Sequence, residues 1–440
     1  MLRALALVLA LGLQDGLDQK IEKILQRLSA DDIDARESAV RDLSALGPDA
    51  LPALRARAGG LEGEARGRVE EACRRIERER IRAGVLPPLR LVTLEAKDRP
   101  AKDVLEDIAR QAGVAIEFGG AAPETPVTLS LKDAPPFRAF DEACRRAGDF
   151  SFEPMRGRSE DVDEDFAAAL GPEGAKGDRV LVQGVAAPDY PAAFVRHYRV
   201  RVTQVTVTRQ LDFRQNRSSA HLQLDLQWLP GVSPLALSRF VVEEVLDDQG
   251  RSLMPDKPDD RLAFGRRPAR MGHFGTRSAG YPHTLSIPVP PADAKKIATL
   301  RGTAAFAFPG ETRALVFDKP LEGGKTLELG GLKATLKDVR AADGTLTVTL
   351  EVAGRFAPPR GGGDPDDGAF THEDVQVLTE SGKRLRSRGM SGRGDGQTMT
   401  WTLRYTLPAA EALKEIRIPC VLDRFEDELK FEIRDIPLPR

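Results

Sequence analysis

Residues 91–118, LVTLEAKDRPAKDVLEDIARQAGVAIEF, change hydrophobic period twice, and that change decides the fold of the middle of the chain. Val92, Leu94 and Ala96 alternate with Thr93 and Glu95, the period of a half-buried strand. Asp98 is placed to cap a helix whose early Pro100 misses no backbone donor. Val104, Leu105, Ile108, Ala109 and Ala112 then form one apolar helical stripe, closed by Gly113. Val114, Ile116 and Phe118 return to alternation. After the break at Gly119-Gly120 and Pro123, the cycle runs again. Val127, Leu129 and Leu131 form a strand, Asp133 is the expected cap, and Pro135 and Pro136 start a helix. That helix carries Phe137, Phe140, Cys144 and Ala147, ends at Gly148, and yields to a strand at Phe150 and Phe152. The prediction is a small βαββαβ module.

The strings VTLEAKDRPAKDVLEDIARQAGVAIEF and TPVTLSLKDAPPFRAFDEACRRAG, with their LKDAP strand-to-helix corner, resemble the short N-terminal domain of secretins and TonB-dependent receptors. The resemblance covers residues 89–153 or so. It implies a periplasmic module that docks other proteins or packs against copies of itself and catalyses nothing. No secretin pore region or series of membrane-barrel strands is read after it, so it implies contact within the envelope rather than secretion or transport.

The chain's 440 residues, 41% hydrophobic and 30% charged, describe several soluble domains. A net charge of −2 gives no electrostatic reason for a nucleic-acid partner. Arg3 precedes an apolar run from Ala4 to Leu13, with small Ala10 and Gly12 near its end, which is the pattern of a secretory signal over residues 1–13. That run is too short to span a bilayer, and no transmembrane span is expected elsewhere. The expected location is therefore periplasmic or secreted. Cys73, Cys144 and Cys420 read as small buried hydrophobes, with a Cys73–Cys144 disulfide left open.

Outward from the module, residues 16–84 read as a helical unit of HEAT-like type. Ile21, Ile24, Leu25 and Leu28 mark one helix; Ala39, Val40 and Leu43 a second; Leu51 and Leu54 follow the Gly47-Pro48 turn. Ala65, Val69, Ala72, Cys73 and Ile76 mark the last. The module itself is assigned 88–184, with an acidic insertion at 158–178 and a last strand at Val180–Val182. The rest predicts two tandem all-β sandwiches of immunoglobulin-like type, 185–322 and 323–440, the second repeating the first. VLDDQGRSL (245–253) matches VLTESGKRL (377–385), an offset of 132 set by Gly250 and Gly382. Pro291/Pro408 and Asp318/Asp435 each give an offset of 117. The fold class is multidomain α+β.

No catalytic residues, metal ligands or cofactor are predicted. Gly323-Gly324-Lys325-Thr326 lacks the first glycine of a phosphate loop, and Gly389–Arg393 lacks the last glycine of a nucleophile elbow. The histidines (197, 221, 273, 283, 372) have no metal-ligand spacing. Asp161/Asp163/Asp165 begins like a calcium loop, but Phe166 and Pro172 occupy its turn and bidentate positions. With Asp256/Asp259/Asp260 and Asp364/Asp366/Asp367 it reads as solvated loop charge, and calcium is not expected. One candidate partner-contact loop mixes arginine and aromatics: Phe264, Arg266, Arg267, Arg270, Phe274, Arg277 and Tyr281. The expected function is non-enzymatic scaffolding with an envelope protein or a second copy as partner. The alternative is a secreted hydrolase or carbohydrate binder using a β-sandwich cleft.

Overall fold

The computed structural model describes residues 17–28, 30, 32–155, 178–186, 188–210, 217–255, 269–270, 279–354, 375–385, 387–394 and 398–439. It is a mixed α+β chain, rich in antiparallel sheets, that forms two compact units, residues 1–86 and 87–440. Among the described residues no helix is long and apolar enough to cross a membrane. The expected signal at 1–13 lies outside them.

The first unit is helical: α1 (17–27), α2 (Ile33–Ser44), α3 (Leu51–Ala58) and α4 (Gly63–Val85). Asp32 caps α2 by accepting the Asp34 N–H at 3.0 Å. Pro48 opens a short 3₁₀ turn, Pro48–Ala50, that leads into α3. The apolar stripes converge on one core that includes Ile21, Val40, Leu43, Leu54, Val69, Ala72 and Ile76. Ala65, expected on the α4 stripe, is only half-buried.

The second unit opens with β1 (Val92–Pro100), α5 (Ala101–Ala112), β2 (Ala115–Gly119), β3 (Pro126–Ala134), α6 (Pro136–Ala147), β4 (Ser151–Met155) and β5 (Arg179–Gln183). β1 and β3 form a two-stranded antiparallel sheet. β5 does not finish the module at an edge. It lies between β2, to which it is parallel, and β4, to which it is antiparallel. The two strand-helix halves repeat at an offset of 35 residues: Asp98 with Asp133 (133 − 98) and Gly113 with Gly148 (148 − 113). Pairing obeys that symmetry, since Leu94 faces Leu131 and Ala96 faces Leu129.

Neither aspartate caps its helix. Asp98 and Asp133 have φ of +51° and +48°, in bulges just before each helix. Asp98 accepts from the Thr128 hydroxyl at 3.1 Å and Asp133 from the Thr93 hydroxyl at 3.2 Å. Each threonine Oγ1 also accepts the N–H of its partner aspartate. The side chains are thus spent across the sheet, while the Ala101 and Lys102 amides donate to the Thr125 and Pro123 carbonyls.

Among the described residues sixteen more strands follow, β6 to β21. β6 (Ala192–Val195), β7 (Tyr198–Gln210), β8 (Arg217–Trp228) and β11 (Gly280–Ile287) form one sheet in the order β11-β8-β7-β6. β9 (Ala236–Asp247), β10 (Ala269–Arg270), β12 (Lys296–Pro309) and β21 (Arg424–Pro437) form the sheet β10-β9-β12-β21. Tyr198 of β7 stacks on Phe306 of β12 at 4.9 Å, and Phe240 of β9 meets His283 of β11 at 4.4 Å, so these two sheets share a core. β13 (Thr312–Asp318), β17 (Gln376–Thr379) and β20 (Leu413–Val421) form β13-β20-β17. β14 (Thr326–Leu329), β15 (Leu332–Ala342), β16 (Thr345–Ala353), β18 (Ser387–Gly394) and β19 (Thr398–Thr406) form β14-β15-β16-β19-β18. Phe317, Leu350, Trp401 and Ile416 lie in the core shared by this second pair of sheets.

Strand pairing does not follow the boundary expected at 322/323. β13 leaves the first pair of sheets to pair with β20, and β21 returns from the second to pair with β12. One antiparallel ribbon keeps a single register from Lys296↔Pro437 through Pro309↔Arg424 and Thr312↔Val421 to Asp318↔Glu415. Its two crossing points are tied to each other, with Gly310 N–H donating to Asp423 O and Leu422 N–H to Glu311 O, both at 2.8 Å.

The matched turns at 245–253 and 377–385 have the same geometry. The Leu253 and Leu385 amides donate to the Val245 and Val377 carbonyls, and Gly250 and Gly382 sit at φ of +76° and +83°. In the ribbon the equivalent pairs are Leu300↔Ile433 and Ile416↔Phe317, an offset of 116 (416 − 300 and 433 − 317), not 117. The extra residue matters because strands have period 2. An offset of 117 would match buried Phe317 with exposed Arg434, whereas 116 matches it with buried Ile433.

Candidate functional site

Period 2 also positions a charged cluster between module and sheet. On β7, Tyr198, Val200 and Val202 point between the sheets, so Arg199 and Arg201 point to the opposite face. In most antiparallel sheets that face meets water. Here α6 and β4 of the module cover it. Arg199 is 3% exposed, with its guanidinium 4.4 Å from the Phe152 ring centre and 5.2 Å from that of Phe137.

The cross-strand partners on β8 complete the network. Arg199 faces Gln227 and donates from Nε to its Oε1 at 2.8 Å. Arg201 faces Asp225 and donates to its Oδ2 from Nε at 3.1 Å and from Nη2 at 2.9 Å. Glu153 of β4 joins both pairs. It accepts from Arg201 Nη2 at 2.8 Å and from Gln227 Nε2 at 2.6 Å, and lies 3.8 Å from Arg199 Nη2. Two bonds from backbone amides flank the network, Ala279 N–H to the Pro154 carbonyl at 2.8 Å and Gly231 N–H to the Asp178 carboxylate Oδ2 at 3.0 Å.

Beside this network lies a cleft of about 110 Å³, lined by Asp141, Cys144, Phe150, Asp189, Tyr190 and Arg199 among others. Burial holds the Asp141 carboxyl above its ordinary range; the Arg199 guanidinium, 3.9 Å away, opposes that and Asp189 adds to it. Burial likewise raises Asp225 against the pull of Arg201. Burial lowers Arg199 to about 10, so it stays charged near neutral pH. Arg201, although also buried, is held above its ordinary value by Glu153 and Asp225. Burial pushes the Cys144 thiol up to about 12, which removes it as a thiolate nucleophile near neutral pH. The arrangement acts as an electrostatic clamp between module and sheet, with the Asp141 carboxyl beside it in the cleft.

No family model, curated protein or solved structure matches this chain.

Of the expected partner-contact loop, Phe264, Arg266, Arg267, Phe274 and Arg277 lie outside the described residues. Arg270 ends β10. Tyr281 belongs to strand β11, where it pairs with Leu226 and its ring stands 6.4 Å from that of His283. The three acidic clusters at 161–165, 256–260 and 364–367 also lie outside, as do His273 and His372. His221 Nδ1 bonds the Ser286 hydroxyl at 3.0 Å, and His197 and His283 are buried. The three cysteines are buried and not disulfide-bonded. Lys325 pairs with Asp318 across the 3₁₀ turn Pro320–Glu322, and Gly389–Arg393 lies on β18. The clamp's signal in the sequence is RVRV at 199–202, which places charge on a strand's second face; from the sequence alone it is assigned no role.

Proposed function

We propose that the chain is an exported, non-enzymatic scaffold of the cell envelope that docks another protein through its central α+β module. The observation that carries this reading is the two-stranded β1–β3 sheet. Among the described residues neither strand has a second neighbour, and Thr93, Glu95, Lys97, Thr128, Ser130 and Lys132 are all exposed. Open strand edges accept an incoming strand, with main-chain hydrogen bonds for affinity and side chains for specificity. The Arg199–Glu153–Arg201 clamp supplies the rigid mount, because a docking surface that moved against its support would lose affinity to ordering entropy.

The resemblance to the secretin and TonB-dependent receptor N-terminal domain points the same way, and the run Ala4–Leu13 points to export. In this reading the helical unit is a HEAT-like cap, and the β-region is a pair of immunoglobulin-like spacers. The test places a photo-cross-linking amino acid at Lys97 or Lys132 in cells and fractionates them. A cross-linked partner or second copy in the periplasmic fraction, on a chain cleaved near residue 13, is the expected result. An uncleaved cytoplasmic chain with no adduct at either position ends the reading.

A further inference from the structure

We propose that β18 is a second, separate docking edge, one that accepts an extended acidic polypeptide segment as an added strand. Among the described residues β18 is the outermost strand of its sheet, and all eight of its residues, Ser387 to Gly394, are exposed. It pairs with β19 from Ser387↔Tyr405 to Gly394↔Met399, so an antiparallel strand's alternate amides and carbonyls face outward. Gly389, Gly392 and Gly394 put no side chain in the way of an approaching backbone. Gly392 is required for the inner contact, since a Cβ there would stand 2.7 Å from Trp401 Cδ1.

Charge selects the occupant. Arg388 and Arg393 are the ionisable residues of β18, and Lys383 and Arg384 precede it, with no acidic residue from 383 to 394. A second copy is a poor partner. It would bring a second Arg388 and Arg393 to the same edge, and like charges brought together across paired strands are destabilising. A segment with aspartate or glutamate at the facing positions converts that repulsion into cross-strand ion pairs.

The test uses the full chain and an acetylated peptide of eight residues, the length of β18, alternating glutamate with threonine or valine. The controls are its lysine counterpart, an oligonucleotide of similar charge, and the chain without ligand. Binding is read by titration, and its location by hydrogen exchange of the 387–394 amides. The proposal expects saturable, salt-sensitive binding of the acidic peptide that protects those amides. It also expects at least tenfold weaker binding in R388E/R393E, with the lysine peptide now preferred; circular dichroism confirms that this variant is folded. Four results overturn it: no binding, protection elsewhere, equal binding by the oligonucleotide without amide protection, or a chain dimer that R388E/R393E dissolves.

Discussion

Glu153→Leu is the sharpest test of the clamp. The substitution removes the acceptor of Arg201 Nη2 and of Gln227 Nε2, and takes the closest carboxylate from Arg199, whose nearest remaining one is Asp141 at 3.9 Å. Breaking a buried pair by removing one partner costs about 3–5 kcal/mol, because the remaining charge is left desolvated. Glu153 keeps 31% exposure, and Arg201 retains Asp225, so the lower end applies, about 3 kcal/mol. Urea unfolding followed by tryptophan fluorescence would read it, since Trp228 lies on β8 one position after the clamp partner Gln227. A double-mutant cycle with Arg201→Met adds the discriminating number. If the clamp couples module and sheet, the double mutant recovers about 1–3 kcal/mol relative to the sum of the singles. A loss below about 1 kcal/mol, with strictly additive singles, would refute the reasoning.

Three further outcomes are expected. Deleting residues 424–440 removes the ribbon partner of β12 and the buried Leu429, Phe431, Ile433 and Ile436; at about 1.5–3 kcal/mol per side chain the first sheet pair should not survive, which limited proteolysis of 188–309 would reveal. Burial lowers the His197 pKa, against the opposing effects of Asp427 and the Pro87 backbone. The unfolded chain therefore takes up that proton first. Stability from this site should be full above about pH 6.5 and fall as pH drops through the lowered value, and the Tm of His197→Leu should fall less steeply over that window. Gly392→Val should overpack against Trp401 and cost about 1–3 kcal/mol, with a shifted near-ultraviolet tryptophan signal.

The module was legible because its signals are short-range. Val92, Leu94 and Ala96 declare a strand, the stripe from Val104 to Ala112 a helix, and Gly113 its end; each is settled within a few residues. The caps were misread for the same reason. A local reading hands Asp98 the nearest amides, whereas the folded chain offers it Thr128, thirty residues away. The clamp was harder still: Arg199 and Arg201 look like the watered face of a strand until α6 and β4 are laid over them.

By itself the sequence determined the elements: where the period is 2 and where 3.6, where glycine permits a turn, and that 245–253 and 377–385 make the same turn. Tertiary structure alone decided which strands meet. Hydrophobic alternation tells a strand which face to bury but not which edge to seek. β13 and β21 therefore read as closing strands of separate domains until the shared ribbon placed each beside the other's neighbour.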